Sequence, residues 1–298
     1  MLEYRPLRGN RSGLFFAWSI FAAATIRTAN TPAKAGAQLG DAADGAVRFV
    51  TQDVPIGPRP PPGWWTGPLL HDTNPLTRTR MTLPSRSYAA FLFDMDGTIL
   101  TSIASAERTW TNWAIAHGLD VATFLPTIHG VQSVETIRRL DLPGVDPVAE
   151  AAAITAAEME DVGDIQPIAG ATAFLVSLPP ERWTIVTSAP RALAEVRLKA
   201  AGLPVPATMI AADDIPNGKP APDCFLVAAE RLGVTASDCL VFEDAAAGIT
   251  AGEAAGADVL VITATHSHGV RTSHPTLVDY RAVSVVMDES GSLRLRAA

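Results

Sequence analysis

The sequence predicts an α/β fold: a parallel sheet covered by helices, with a helical segment inserted after the first strand. Three observations carry this expectation. From Met81 onward, apolar runs of strand length alternate with longer amphipathic stretches, the pattern of strands buried on both faces by crossover helices. Polar residues gather at the carboxyl ends of those runs. Between Ile103 and about Gln166 the alternation stops and only helical spacing remains.

Taken in order, AAFLF (Ala89 to Phe93) is the first strand. The helical segment follows, with SAERTWTNWAIAHG, SVETIRRL and DPVAEAAAITAAEMEDV as its helices. Trp110 and Trp113 lie one turn apart and are expected in its core. Arg138 and Arg139 are expected on a wet face, and His117 at a helix C-terminus, where it suits the dipole. The core resumes with the helical PIAGATAFLVSL and then RWTIVTS (Arg182 to Ser188), TMIAADD (Thr208 to Asp214), CLVFEDA (Cys239 to Ala245) and DVLVITA (Asp258 to Ala264) as strands. The stretches between them, RALAEVRLKAAGL, APDCFLVAAERLGV and AAAGITAGEAAGA, have helical spacing and a Gly near each end. Gly248, Gly252 and Gly256 recur every four residues, a smooth helix face for packing on the sheet. A dinucleotide site would need GxGxxG after a strand, and none occurs.

Residues 1–80 are expected to lie outside the folded enzyme, as an upstream extension rich in Pro, Gly, Ala and Thr that includes RPPPGWW. Leu14 to Ile26 is shorter than the roughly 20 residues that span a bilayer. A secretory signal is the alternative there, with AKA at Ala33 to Ala35 as its cleavage site. The core is assigned to residues 81–102 and 168–290, the helical segment to 103–167, and a tail to 291–298. Because the helical segment leaves directly after the first strand and its loop, it sits above the carboxyl ends of the strands as a lid.

A net charge of -8 excludes a nonspecific nucleic-acid binder, which wants a basic face. Two cysteines, Cys224 and Cys239, make neither a disulfide framework nor a zinc site and read as apolar core. A cytoplasmic protein is expected, a monomer or weak homodimer with no nucleic-acid or membrane partner. HSH at His266 and His268 hints at metal but, with His274, reads as loop histidines.

In open α/β sheets the ligand site lies outside the carboxyl ends of the strands. FLFDMDGTIL places Asp94 and Asp96 there. The second strand adds Thr187 and Ser188, the loop NGKPAPD adds Lys219, and the fourth strand adds Glu243 and Asp244. Such acids stay ionised together only around a cation. Oxygen ligands suit Mg2+, which commonly combines one or two carboxylates with a substrate phosphate.

DMDGT, VTSA, GKPAPD and FEDAAAG, in this order and at these separations, resemble the four signature motifs of the haloacid dehalogenase superfamily, in its phosphatase and phosphomutase branch. The resemblance covers roughly Tyr88 to Val286. It implies a Rossmann-like parallel sheet with a helical cap and magnesium-dependent transfer of a phosphoryl group from a small phosphorylated metabolite. Asp94 is then the nucleophile that forms an aspartyl-phosphate, and Asp96 the general acid for the leaving alcohol and the base for water. Ser188, with neighbouring amides such as that of Ala189, binds the phosphoryl group, and Lys219 bridges it to Asp94. The metal ligands are Asp94, the backbone carbonyl of Asp96, Asp244 and, as a second acid beside it, Glu243. Gly97, which allows a tight turn by the phosphate, and Thr98, which caps the loop to the lid, are counted among the substrate-binding residues.

Dehalogenases of this branch lack the second aspartate, so Asp96 disfavours carbon–halogen chemistry. β-Phosphoglucomutases carry a histidine where this chain has Ala106 and a phosphate-gripping arginine where it has Ser133. A phosphatase acting on small sugar or polyol phosphates is therefore expected, with a phosphosugar mutase and a non-catalytic binding module of the same fold as alternatives. IHGVQSVETIRRL resembles the sugar and glycerol phosphatases, which makes His129, Gly130 and Gln132 candidate specificity residues. This chain departs from those relatives at Val131, after HG, and at Thr101, where Asp is usual near the lid hinge.

Overall fold

A computed structural model of the protein describes residues 83–266 and 272–298. The readings placed on residues 1–80 and on His268, and the first two residues of the core assigned from Met81, lie outside the described residues.

Strand β1 (Ala90–Phe93) is buried throughout and lies inside a six-stranded parallel sheet. Its side chains alternate between faces. Phe91 and Phe93 enter a cluster with Phe174, Phe242 and Tyr280, in which the Phe93 and Phe242 rings stack at 4.4 Å. Ala90 and Leu92 enter a second cluster with Val186, Phe225 and Val241 on the opposite face.

After β1 the chain turns through Asp94 to Ile99 into the short β2 (Leu100–Thr101). Four helices follow: α1 (Ile103–Ala116), α2 (Val121–Phe124), α3 (Ser133–Arg139) and α4 (Pro147–Glu160). Helix α4 starts where Asp146 accepts from the Val148 and Ala149 amides and Pro147 supplies a pre-set first turn. The chain returns through β3 (Gln166–Pro167), antiparallel to β2 with Thr101 opposite Gln166. This helical insert has its own core of Trp110, Trp113, Phe124, Ile128, Ile137 and Ile154, so both tryptophans lie where the sequence puts them. His117 closes α1 as expected, its ring stacked on Trp113.

The second half runs α5 (Ala171–Val176), β4 (Trp183–Val186), α6 (Arg191–Ala201), β5 (Met209–Ile210), α7 (Asp223–Arg231), β6 (Cys239–Glu243), α8 (Ala246–Ala254), β7 (Asp258–Ile262) and β8 (Thr276–Leu277). The sheet order is β5-β4-β1-β6-β7-β8. Strands β1, β4 and β6 are therefore adjacent, and their carboxyl ends open on one place. Cys224 and Cys239 are buried free thiols.

Three sequence readings need correction. TMIAADD is a strand only at Met209–Ile210; Asp214 accepts from the Ala211 amide at 2.8 Å and closes Ala212–Asp214 into a 3-10 turn. Residues 291–298 are not a tail. β9 (Val283–Met287) and β10 (Leu293–Ala297) form an antiparallel hairpin, and Leu293 bridges to Tyr88 beside β1. The glycine repeat that runs from α8 past its end serves three purposes rather than one. Gly252 packs on Val241 and Val259 of the sheet, Gly248 leaves room for the Glu243 carboxylate, and Gly256 turns the chain at φ +78°.

Candidate active site

The carboxyl ends of β1 and β6 bring the predicted acids together, and the loop from β5 to α7 brings Lys219 to them. Ligand oxygens of Asp94, Glu243 and Asp244 all lie within 4.8 Å of one another. Lys219 lies between two of these acids, with Nζ 2.5 Å from Asp94 Oδ1 and 2.7 Å from Glu243 Oε1, and it also donates to the Val186 carbonyl at 3.2 Å. The other Glu243 oxygen accepts from the Asp244 and Ala245 amides at 2.8 Å each, so this buried acid fixes both the lysine and the loop.

Within this cluster one ammonium faces three carboxylates. Burial raises the Asp94 carboxyl to about 7; Lys219 pulls it down, but by less, and Glu243 adds to the rise. Burial, with Glu243 and Asp94 beside it, also puts Asp244 well above the ordinary carboxylate range. Lys219 feels burial as a downward pull, yet Asp94 and Glu243 outweigh it and keep its pKa above the usual value. Lys219 is therefore the fixed cation, and the surplus negative charge on Asp94 and Asp244 calls for a second positive charge. A hard dication among carboxylate oxygens fits this donor set.

The loop after β1 shapes the cluster in a way its sequence only partly shows. Gly97 has φ +86°, and a Cβ there would stand 2.0 Å from Asp244 Oδ2. Thr98 is fully buried and donates to Asp244 Oδ1 at 3.2 Å. Gly97 and Thr98, expected to touch substrate, are thus backing for Asp244 and do not form the pocket wall. Gln132 packs its side-chain amide against Gly218.

The pocket itself is lined by Asp94, Asp96, His129, Gly130, Ser188 and Ala189, together with Ala106, Trp110, Val131 and Ser133 from the insert. The Ser188 hydroxyl donates to the Gly130 carbonyl at 2.9 Å, joining the end of β4 to the insert. The Ala189 amide donates to Thr187 Oγ1 at 3.1 Å. Gly130 turns at φ +73° against Ala245. Burial depresses the pKa of His129, whose Nε2 lies 3.7 Å from Glu107 Oε1. His266 reaches the Asp244 carbonyl oxygen with Nε2 at 3.0 Å, and His274 pairs with Glu253 at 2.7 Å.

Three pocket residues escape sequence reasoning. Ser102 donates to Asp96 Oδ1 at 2.5 Å, and Arg197 Nη1 donates to the same oxygen at 3.0 Å. Glu158 on α4 lies 3.2 Å from Arg197 Nη2. Arg197 falls within a regular amphipathic helix, where a charged residue reads as surface. The buried charge pair is visible only once α4 packs on α6.

Comparison with known proteins agrees with this geometry. Residues 88–256 match the haloacid dehalogenase-like hydrolase family. Hexitol phosphatase A from Escherichia coli is 39% identical over 179 residues, covering 58% of this chain and 82% of the relative. 2-Deoxyglucose-6-phosphate phosphatase 2 from Saccharomyces cerevisiae is 31% identical over 240 residues, covering 71% and 96%. Among solved structures, a HAD hydrolase of family IA, variant 3, from Entamoeba histolytica superposes with a TM-score of 0.55 at 25% identity, over 64% of this chain and 92% of that one. With its four motifs, its sheet order and its acidic cluster in agreement, the chain belongs to the haloacid dehalogenase-like hydrolase family.

Proposed function

We propose that the protein is a magnesium-dependent phosphatase that hydrolyses small sugar or polyol phosphates through an aspartyl-phosphate on Asp94. The observation that carries this reading is the placement of Asp94, Lys219, Glu243 and Asp244 around one point at the end of β1, with Asp96 lining the same pocket. The relatives named above are phosphatases of phosphorylated sugars and polyols, which supports the substrate class.

Asp94 and Asp244 carboxylates and the Asp96 carbonyl would hold Mg2+, with Glu243 beside them and committed first to Lys219 and two amides. When bound, the ion offsets the surplus carboxylate charge and the charge on the phosphoryl oxygens. Lys219 holds Asp94 and faces the same oxygens as a fixed cation. An Asp94 oxygen attacks phosphorus while the ester oxygen leaves with the proton from Asp96, giving alcohol and aspartyl-phosphate. Asp96, now a carboxylate, takes a proton from water as its oxygen attacks phosphorus. Inorganic phosphate leaves and Asp94 is restored. Ser188 and the Ala189 amide turn to the phosphoryl group, and the helical insert acts as the cap that excludes bulk water during transfer.

Ala106 and Ser133 line the pocket. The mutase alternative needs a proton-handling histidine and a phosphate-gripping arginine at these places, so release of phosphate to water is favoured. Phosphate release from a panel of phosphorylated sugars and polyols, with Mg2+ and with EDTA, tests the reading. Turnover that needs Mg2+ and disappears in Asp94→Asn is expected. Turnover that persists in that variant overturns it.

A further inference from the structure

We infer that Glu158 is a positioning residue for Asp96 that acts through Arg197, so that the general acid is aligned when α4 of the insert lies against α6 of the core. The inference rests on the reading of Asp96 as the acid. Asp96 Oδ1 accepts from Ser102 and from Arg197 Nη1, and among the described residues no hydrogen bond reaches Oδ2. Two donors on one oxygen fix the carboxyl plane and leave the other oxygen to carry the proton toward the leaving group.

Arg197 in turn needs holding. Its side chain is 5% exposed, and Nε and Nη2 find no hydrogen-bond partner. Its ion-pair partners among the described residues are Asp96 and Glu158. One hydrogen bond at Nη1 leaves a long side chain free to pivot. The Glu158 carboxylate, 3.2 Å from Nη2 and itself 5% exposed, is the second anchor. A buried ion pair adds little net stability, because desolvation opposes the Coulomb attraction, but it specifies geometry when each charge has one place to go. Here the three charges come from different parts of the chain: Glu158 from α4, Arg197 from α6 and Asp96 from the loop after β1. The Ser188–Gly130 hydrogen bond ties the same two bodies together at the end of β4.

The test compares an ester that needs a proton on its leaving group, glycerol 1-phosphate, with one that does not, p-nitrophenyl phosphate. In Glu158→Gln, kcat for glycerol 1-phosphate is expected to fall at least tenfold further than kcat for p-nitrophenyl phosphate, on the scale of partial loss of general-acid catalysis, while KM for either moves less than threefold. Arg197→Lys, which keeps the charge but loses the fork, is expected to show the same split, and it carries the test if Glu158→Gln does not fold. Equal losses on both esters in a folded variant, a loss confined to KM, or no loss overturns the inference. Failure of the wild-type chain to hydrolyse either ester overturns the phosphatase reading instead.

Discussion

Lys219 Nζ lies 2.5 Å from Asp94 Oδ1, with both side chains nearly sealed from solvent. This contact sets the charge balance of the site. In Lys219→Ala, Asp94 and Glu243 lose their buried partner, and phosphoryl transfer loses a preorganised cation. A fall in kcat of about 10²–10³ is expected. Stability should fall by about 3–5 kcal/mol, the range for removing one side of a buried pair. Phosphate-release kinetics and denaturant melts check the two separately.

Without a divalent ion, stability is expected to fall as pH rises from about 4 to about 7. Burial raises Asp94 and Glu158 each to about 7, and Asp244 is raised as well. The native chain therefore holds protons in this window that the unfolded chain releases. The contribution is whole below the unfolded carboxylate range near 4 and is lost as pH climbs through the folded values. Lys219, also raised, keeps its contribution throughout, since the window lies far below its ordinary pKa. The slope is on the order of 1.4 kcal/mol per pH unit for each excess proton. Guanidinium melts from pH 5 to pH 8 should show this fall in EDTA and a flatter profile in Mg2+. A rise with pH in EDTA contradicts the charge balance described.

Gly97→Ala tests the close approach of backbone to Asp244. The added Cβ meets Asp244 Oδ2 and must hold φ +86°, so both activity and stability should drop. The backbone strain alone is about 1–2 kcal/mol. Gly118, at φ +69° with open space around it, is the control. Gly118→Ala should show the strain in a thermal melt with turnover retained.

Thr98→Val removes the hydroxyl that steadies Asp244 while keeping the shape. Loss of a group that orients a metal ligand typically weakens the metal 10–100-fold. The Mg2+ concentration for half-maximal turnover should rise by that factor, with kcat at saturating Mg2+ changing much less.

The acids were legible because each sits at or just past the end of an apolar run, and strands that neighbour in the sheet carry those ends to one point; Lys219 was legible from the loop NGKPAPD, which follows β5 and returns to the same acids. Asp94 and Asp244 needed no more than that. Arg197 and Glu158 were not legible, since each falls within a regular helix and their pairing depends on how α4 docks on α6. The roles of Thr98 and Gly97 as backing for Asp244 likewise depend on the path of a tight loop. Strands β2, β3 and β8 have two residues each, too few for an alternation to register. β10 is different: LRLRA alternates cleanly, with Leu293 and Leu295 buried and the arginines exposed, so its signal was present and its position near the end of the chain obscured it.

Trapping the phosphorylated protein tests the central claim most directly. The chain is mixed with excess polyol phosphate and Mg2+, quenched in acid within one turnover, digested and read by mass spectrometry. A phosphoryl group on Asp94, absent from Asp94→Asn, is the predicted result. Release of phosphate in the burst with no modification at Asp94, or with the phosphoryl group on another residue, contradicts it.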